Sequence, residues 1–329
     1  MSTRNQTGSA KRRDPAEIDR LVNTLRSRHV PTARDRLVRL ELDRLLRRDE
    51  HGALMPEPVR FTGGAETRGI VVTDEPGGGK TTVLRHVLAN HPALGPAAGP
   101  ARYLTVPVFS PATLKSFGCE ILRRTSYEDI SERRERWSIW RLVQHRLSAL
   151  GIVCLMIDEA HDLRSSGSML EANDILKAFK SIMSGDPPVI LILSGVPVLH
   201  ELLDLSGQTG RRFARVEFPP VTDATEGKQL RKLVVDYCQI AELRPPTEDV
   251  IPRLIFAMRG RFGLCVEGIV NAIENALDEG AGELGPMHFA RSWATTFGRG
   301  VDGNPFLGRD WARLDLEPGR NPKILKKVF

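Results

Sequence analysis

The sequence predicts a doubly wound α/β domain followed by a small all-helical one, on three observations. Short apolar runs such as Gly69-Ile70-Val71-Val72-Thr73, Ile152-Val153-Cys154-Leu155-Met156-Ile157 and Val189-Ile190-Leu191-Ile192-Leu193 alternate with longer amphipathic stretches. That is the pattern of a parallel sheet whose strands are buried on both faces. The first run feeds a glycine-rich turn that opens a helix. Beyond Pro219-Pro220 only helical periodicity remains, with stripes at Leu230, Leu233, Val234 and Tyr237 and at Val266, Ile269, Val270 and Ile273.

Taken in order, residues 1–15 are polar and basic and read as disordered. Ile18, Leu21, Val22 and Leu25 then fall at i, i+3, i+4 and i+7, an amphipathic helix. A second helix carries Val38, Leu42 and Leu45, ringed by Arg36, Arg39, Arg44, Arg47 and Arg48. The Pro- and Gly-rich segment 51–64 closes this basic helical unit over 1–60. The α/β domain spans 61–220, with a helix from Thr81 to Ala89, further strands over 101–106, 152–157, 189–193 and 214–218, and helices over 111–124, 132–149 and 170–183. The helical domain covers 221–297, and 298–329 is a basic, extended tail rich in Gly, Pro and Arg.

The totals exclude several classes. With 41% hydrophobic and 27% charged residues, the 329-residue chain is an ordinary globular protein. No apolar run approaches the roughly 20 residues of a membrane span, and the basic N-terminus lacks the apolar stretch of a secretory signal. The expectation is a cytoplasmic protein with no membrane partner. Cys119, Cys154, Cys238 and Cys265 show neither metal-site nor disulfide spacing, and Cys154 and Cys265 lie in apolar runs as buried hydrophobes. The net charge of +6 is uneven: residues 1–60 hold 14 Lys/Arg against 9 Asp/Glu, 291–329 hold 8 against 4, and 61–290 hold 25 against 28. Basic ends on a near-neutral core suit a polyanion such as nucleic acid, or equally a solvated surface with flexible arms.

The chemistry concentrates in two motifs. Thr73-Asp74-Glu75-Pro76-Gly77-Gly78-Gly79-Lys80-Thr81-Thr82 joins a strand to a helix. Glycines there let backbone N–H groups approach a β-phosphate, and the helix N-terminus directs its positive end at the same anion. Pro76 stiffens the entry, Lys80 reaches the β/γ-phosphates, and the Thr81 hydroxyl reaches Mg²⁺. The pattern expects glycine where this chain has Asp74, whose carboxylate either weakens nucleotide binding or points away. The second motif is Cys154-Leu155-Met156-Ile157-Asp158-Glu159, which places two carboxylates at a strand's C-terminal end, where α/β sheets bind ligands. Asp158 would hold Mg²⁺ through water, and Glu159 would orient or deprotonate the attacking water of ATP hydrolysis. Ser194, ending the 189–193 strand, would contact the γ-phosphate or that water, or simply begin a Ser-Gly-Val-Pro turn. In Arg211-Arg212-Phe213, an arginine would stabilise transition-state charge in a neighbour's site, with Arg212 preferred, or the pair caps a helix at the surface. His161 gives the DEAH spelling of a helicase family, but the chain has no room for a second motor domain, so it reads as a loop residue near the site. Lys115, Arg123 and Arg124 either face DNA phosphates or form a solvated helix face.

The series of glycine loop, CLMIDEAHDL, ILILSGVPVL, RRFARVEF and helical lid resembles an AAA+ ATPase of the initiator-like type, with a P-loop NTPase core built on a five-stranded parallel sheet. More narrowly, it is similar to the TniB/TnsC transposition ATPases, relatives of MuB, over about residues 60–297, with the stretch Arg259 to Ala276 and Met287-His288-Phe289 adding to the likeness. The resemblance implies a homo-oligomer, a ring or filament that assembles head to tail on double-stranded DNA and marks a target for an integrase-type transposase. Lys80, Thr81, Asp158 and Glu159 carry over directly, Ser194 matches the sensor position, and Arg212 the arginine-finger region. Asp74 does not match, and Gly263 stands where a second-sensor arginine is expected, with Arg259 and Arg261 nearby; slow, switch-like hydrolysis follows. Alternatives are a replication initiator or loader, and an ATP-binding scaffold of a secretion or signalling assembly that touches no nucleic acid.

Overall fold

A computed structural model of the chain describes residues 13–127, 130–131, 134–165, 169–298, 300 and 303–316. The elements run α1 (Pro15–Ser27), α2 (Ala33–Asp43), β1 (Leu46–Arg48), β2 (Leu54–Pro58), β3 (Gly69–Thr73), α3 (Lys80–Ala89), β4 (Tyr103–Pro107), α4 (Leu114–Arg124), α5 (Arg136–Ala149), β5 (Cys154–Asp158), α6 (Asp162–Ser165) and α7 (Met169–Met183). They continue with β6 (Ile190–Gly195), α8 (Leu199–Asp204), α9 (Gly207–Gly210), β7 (Phe213–Glu217), α10 (Lys228–Ile240), α11 (Ile251–Ala257), α12 (Phe262–Asp278) and α13 (Pro286–Phe297). Two compact units result, 29–219 and 1–28 with 220–329. The helices expected within 1–60 are therefore divided between them, α1 in one and α2 in the other.

In the unit 29–219, five parallel strands lie in the order β4-β5-β6-β3-β7. Strand side chains alternate between two cores, as a period of two requires. Val71, Leu155, Ile157, Leu191 and Leu193 pack with residues of α4, α5 and α7. Ile70, Val72, Met156, Ile190, Ile192 and Val216 pack with residues of α2 and α3. Both faces are covered, which is why these strands read as unbroken apolar runs. All five expected strands are present.

The N-terminal part of this unit differs from expectation. The helix carrying Val38 and Leu42 ends at Asp43, and Arg47 and Arg48 sit in β1, paired antiparallel with β2. The turn between them explains the switch: Asp49 Oδ1 accepts from the backbone N–H groups of His51 and Ala53, both at 2.9 Å, and Gly52 takes φ 81°. Helix α4 begins three residues later than expected because Thr113 caps it, its hydroxyl accepting from the Ser116 N–H at 3.0 Å. Of the expected 132–149 helix, 136–149 is α5; 132–133 fall outside the described residues.

At the start of β7, Arg212 is only 4% exposed. Its guanidinium forms an ion pair with Glu66 and donates to Ser184 Oγ at 3.0 Å and to the Lys180 carbonyl at 3.5 Å. This ties the entry to β3, the end of α7 and the entry to β7 together.

In the other unit, α1 buries Ile18, Val22 and Leu25, and the Tyr237 hydroxyl donates to the Leu25 carbonyl at 3.2 Å. Arg26 bonds Glu267, Asn271 and Glu274, three acceptors on one face of α12. The unit is all-helical apart from an isolated bridge, as expected for 221–297, with α1 added to it. The expected disorder of 1–15 lies, for 1–12, outside the described residues, as does 317–329 of the expected tail.

The Arg212 arrangement generates a prediction. Arg212→Ala leaves Glu66 buried without its cation, a change that costs about 3–5 kcal/mol. Arg211→Ala, at an exposed neighbour, shifts stability by no more than ~0.5 kcal/mol. Urea unfolding of the two variants checks this, and equal stabilities would contradict the structural role of Arg212.

Candidate functional site

Strand β3 ends at Thr73 and the chain turns through 74–79 before α3 starts at Lys80. Gly77 and Gly79 take φ of 83° and 95°, where a side chain is strained. Gly78 differs: a Cβ there would stand 1.7 Å from Asp74 Oδ2, so a side chain at this position would displace the Asp74 carboxylate. Asp74 therefore does not point away. Its carboxylate folds back onto the loop, with Oδ1 accepting from the Glu75 N–H at 2.7 Å. Pro76, Gly77 and Thr82 are exposed, Thr81 is half-buried and Lys80 is buried.

Lys80 Nζ donates to the carbonyls of Asp74 at 2.9 Å and Glu75 at 3.2 Å. Burial pushes its pKa down, against the opposing pull of Asp74, Glu159, Asp158 and Glu75. A dehydrated ammonium held by two carbonyl dipoles gains when a phosphate arrives, because an anion compensates burial better than neutral acceptors do.

Strand β6 lies between β3 and β5, so the strand ends at Thr73, Asp158 and Ser194 share one edge of the sheet. Across it the Thr81 hydroxyl donates to Asp158 Oδ1 at 3.0 Å. Asp158 is buried, and Arg85 Nη2, on an exposed side chain, stands 3.8 Å from its Oδ2. Glu159 follows in the left-handed region at φ 53°, a conformation that costs a non-glycine residue about 1–3 kcal/mol. Its side chain is half exposed, and Oε2 lies 3.3 Å from His161 Nδ1. His161 thus sits where a loop residue near the site was expected.

Ser194 is fully buried, and its Oγ has no hydrogen-bond partner among the described residues. Its carbonyl accepts from the Ala160 N–H at 2.7 Å, fixing the turn that carries Glu159. A buried hydroxyl without a partner is costly, and Ser194 stands on the strand between the one that enters the loop and the one that ends in Asp158. Arg212 is not brought to this edge. Its pairing with Glu66 engages the guanidinium internally, whereas Arg211 is the exposed member of the pair. Arg123 and Arg124 are exposed and lean on Glu120 at 3.6 and 2.9 Å.

Two contributors were invisible to motif reasoning. Arg34, buried in the first turn of α2, donates from Nη1 to the Gly78 carbonyl at 3.2 Å and from Nη2 to the Pro219 carbonyl at 2.8 Å. Its charge lies 5.4 Å from the centre of the Phe218 ring. The bond to the Gly78 carbonyl fixes a peptide of the phosphate loop. His200 Nε2 pairs with Thr73 Oγ1 at 3.0 Å, at the last residue of β3.

The set of loop N–H groups, one lysine, a threonine hydroxyl and two carboxylates fits a nucleoside triphosphate with a hard divalent cation. Oxygen donors suit Mg²⁺, and Thr81 with Asp158 would hold it.

Comparison with known proteins agrees. Residues 65–203 match the family model described as AAA domain. No curated protein matches the chain at a significant level of sequence similarity. Among solved structures, the Orc1 protein of Aeropyrum pernix in complex with DNA is similar, with TM-score 0.60 and 16% identity, over 84% of this chain and 69% of that one. Cdc6p from Pyrobaculum aerophilum aligns with TM-score 0.57 and 16% identity, over 80% and 67%. A chain of Drosophila ORC bound to DNA aligns with TM-score 0.54 and 13% identity, over 90% and 70%. The fold is that of an AAA+ P-loop NTPase.

Proposed function

We propose that the protein is an ATP-gated AAA+ oligomer that binds duplex DNA, selects a target there and regulates an integrase-type transposase. The observation that carries the nucleotide half is the Thr81–Asp158 hydrogen bond, which joins the phosphate loop to the carboxylate strand. The DNA half is supported by the basic ends of the chain and by the DNA named with two proteins of like fold. The transposase half rests on the sequence resemblance of the loop, CLMIDEAHDL and lid segments.

In this reading Lys80 and the N–H groups of the loop bind the β- and γ-phosphates. Mg²⁺, when bound, neutralises charge on the phosphate oxygens. Glu159 orients the attacking water and takes its proton, Ser194 steadies the γ-phosphate side, and Arg211 of one copy reaches the site of the next. Asp74 places a carboxylate against the loop, so nucleotide enters against a local negative charge. A replication initiator or loader is the second reading, supported by the likeness in fold to Cdc6p and Orc1. The two differ in what co-purifies, a transposase or a replicative helicase. Among the described residues no helix is long and apolar enough to cross a membrane.

Duplex-DNA binding at low salt with a non-hydrolysable ATP analogue tests the proposal. Binding should require the analogue, and Glu159→Gln with ordinary ATP should prolong the complex. DNA binding that ignores nucleotide, or none at all, would sink it. Asp74→Asn should tighten ATP binding several-fold, since a unit charge about 4 Å away is worth ~1 kcal/mol in a water-like medium. Unchanged affinity in equilibrium titration would mean that the carboxylate does not face the phosphates.

A further inference from the structure

At the far end of the helix that leaves the phosphate loop, one of its side chains meets two polar side chains from the segment before and at the start of α2, a group that nucleotide chemistry does not use. His29 precedes α2, Asp35 lies in the first turn of α2, and His86 in the last turn of α3. The imidazoles of His29 and His86 stack with centroids 3.5 Å apart and planes 9° from parallel. His29 Nε2 lies 2.7 Å from Asp35 Oδ1. One ligand atom from each of the three residues falls within 4.8 Å of the other two, and all three are half-buried.

Two rings stacked so closely repel if both are protonated. His29 Nδ1 is buried without a hydrogen-bond partner, an orphaned site that needs a compensating ligand. His86 Nδ1 has only a long contact, 3.3 Å, from Asn90 Nδ2. Asp35 is already positioned: its Oδ2 accepts from the Thr32 N–H at 2.7 Å and the Thr32 hydroxyl at 2.9 Å, the outer bonds that orient a ligating carboxylate.

We propose that His29, Asp35 and His86 bind one divalent transition-metal ion of the Zn²⁺ type, leaving a fourth position to water. Two imidazoles and a carboxylate are a zinc ligand set, with bonds of about 2.0–2.2 Å that place tetrahedral ligand atoms ~3.4 Å apart; the three ligand atoms here lie within 4.8 Å of one another. The set differs from the all-oxygen pair Thr81 and Asp158, so the two sites prefer different metals. The ion would pin α2 to α3, and α2 also carries Arg34, which holds the Gly78 carbonyl of the loop. This inference stands whether or not the partner is a transposase.

The test is calorimetric titration of the metal-stripped, nucleotide-free full chain with Zn²⁺, with Co²⁺ as a spectroscopic probe of coordination. One Zn²⁺ per chain should bind, and Co²⁺ should give the intense visible bands of a four-coordinate site. His29→Gln and His86→Gln should each weaken Zn²⁺ by more than the ~10–100-fold that loss of an outer-shell partner costs, while Asp158→Asn leaves it unchanged. Circular dichroism reports whether each variant is folded, and Asp35→Asn replaces any that is not. No Zn²⁺ uptake by the natural chain, or undiminished affinity in the folded variants, overturns the proposal.

Discussion

The hydrogen bond from the Thr81 hydroxyl to Asp158 Oδ1, 3.0 Å long, is the contact on which the functional reading depends. It connects the first turn of a helix to the end of a strand that is not its neighbour in the sheet. That is possible only because β6 separates β3 from β5 and all three run parallel, so their C-terminal ends meet at one edge. Everything polar in the site is placed by this topology: the loop after β3, the carboxylates after β5 and the serine ending β6.

The polar groups of the site are held at an energetic cost. Lys80 is buried on carbonyls, Ser194 keeps an unmatched hydroxyl, and Glu159 occupies a backbone conformation that costs energy. Asp74 lays a carboxylate on the loop.

Much of this was legible in the sequence because it is local. A strand buried on both faces must be apolar throughout, and a phosphate loop must have glycines at fixed offsets from its lysine; both are visible within ten residues. Contacts between distant segments were not. Nothing near Arg212 announces that Glu66 lies beside it, so its burial reversed the choice between the two arginines. Arg34 reaches Gly78 across 44 residues, and α1 bonds to a helix more than 240 residues away. The β1–β2 hairpin was hidden for another reason: an arginine-rich run is compatible with a helix surface, and the Asp49 turn that ends it is a side-chain effect. Gly78 shows a limit of motif reading, since its closeness to Asp74 cannot be inferred from a glycine count.

The most direct measurement is the Mg²⁺ dependence of ATP affinity in the natural chain and in Asp158→Asn, by equilibrium titration with and without the metal. The account predicts that Mg²⁺ tightens ATP binding to the natural chain and has little effect on the variant, while both bind metal-free ATP alike. An equal gain from Mg²⁺ in both proteins would show that Asp158 and Thr81 do not form the metal site, and the link between loop and carboxylate strand would lose its meaning.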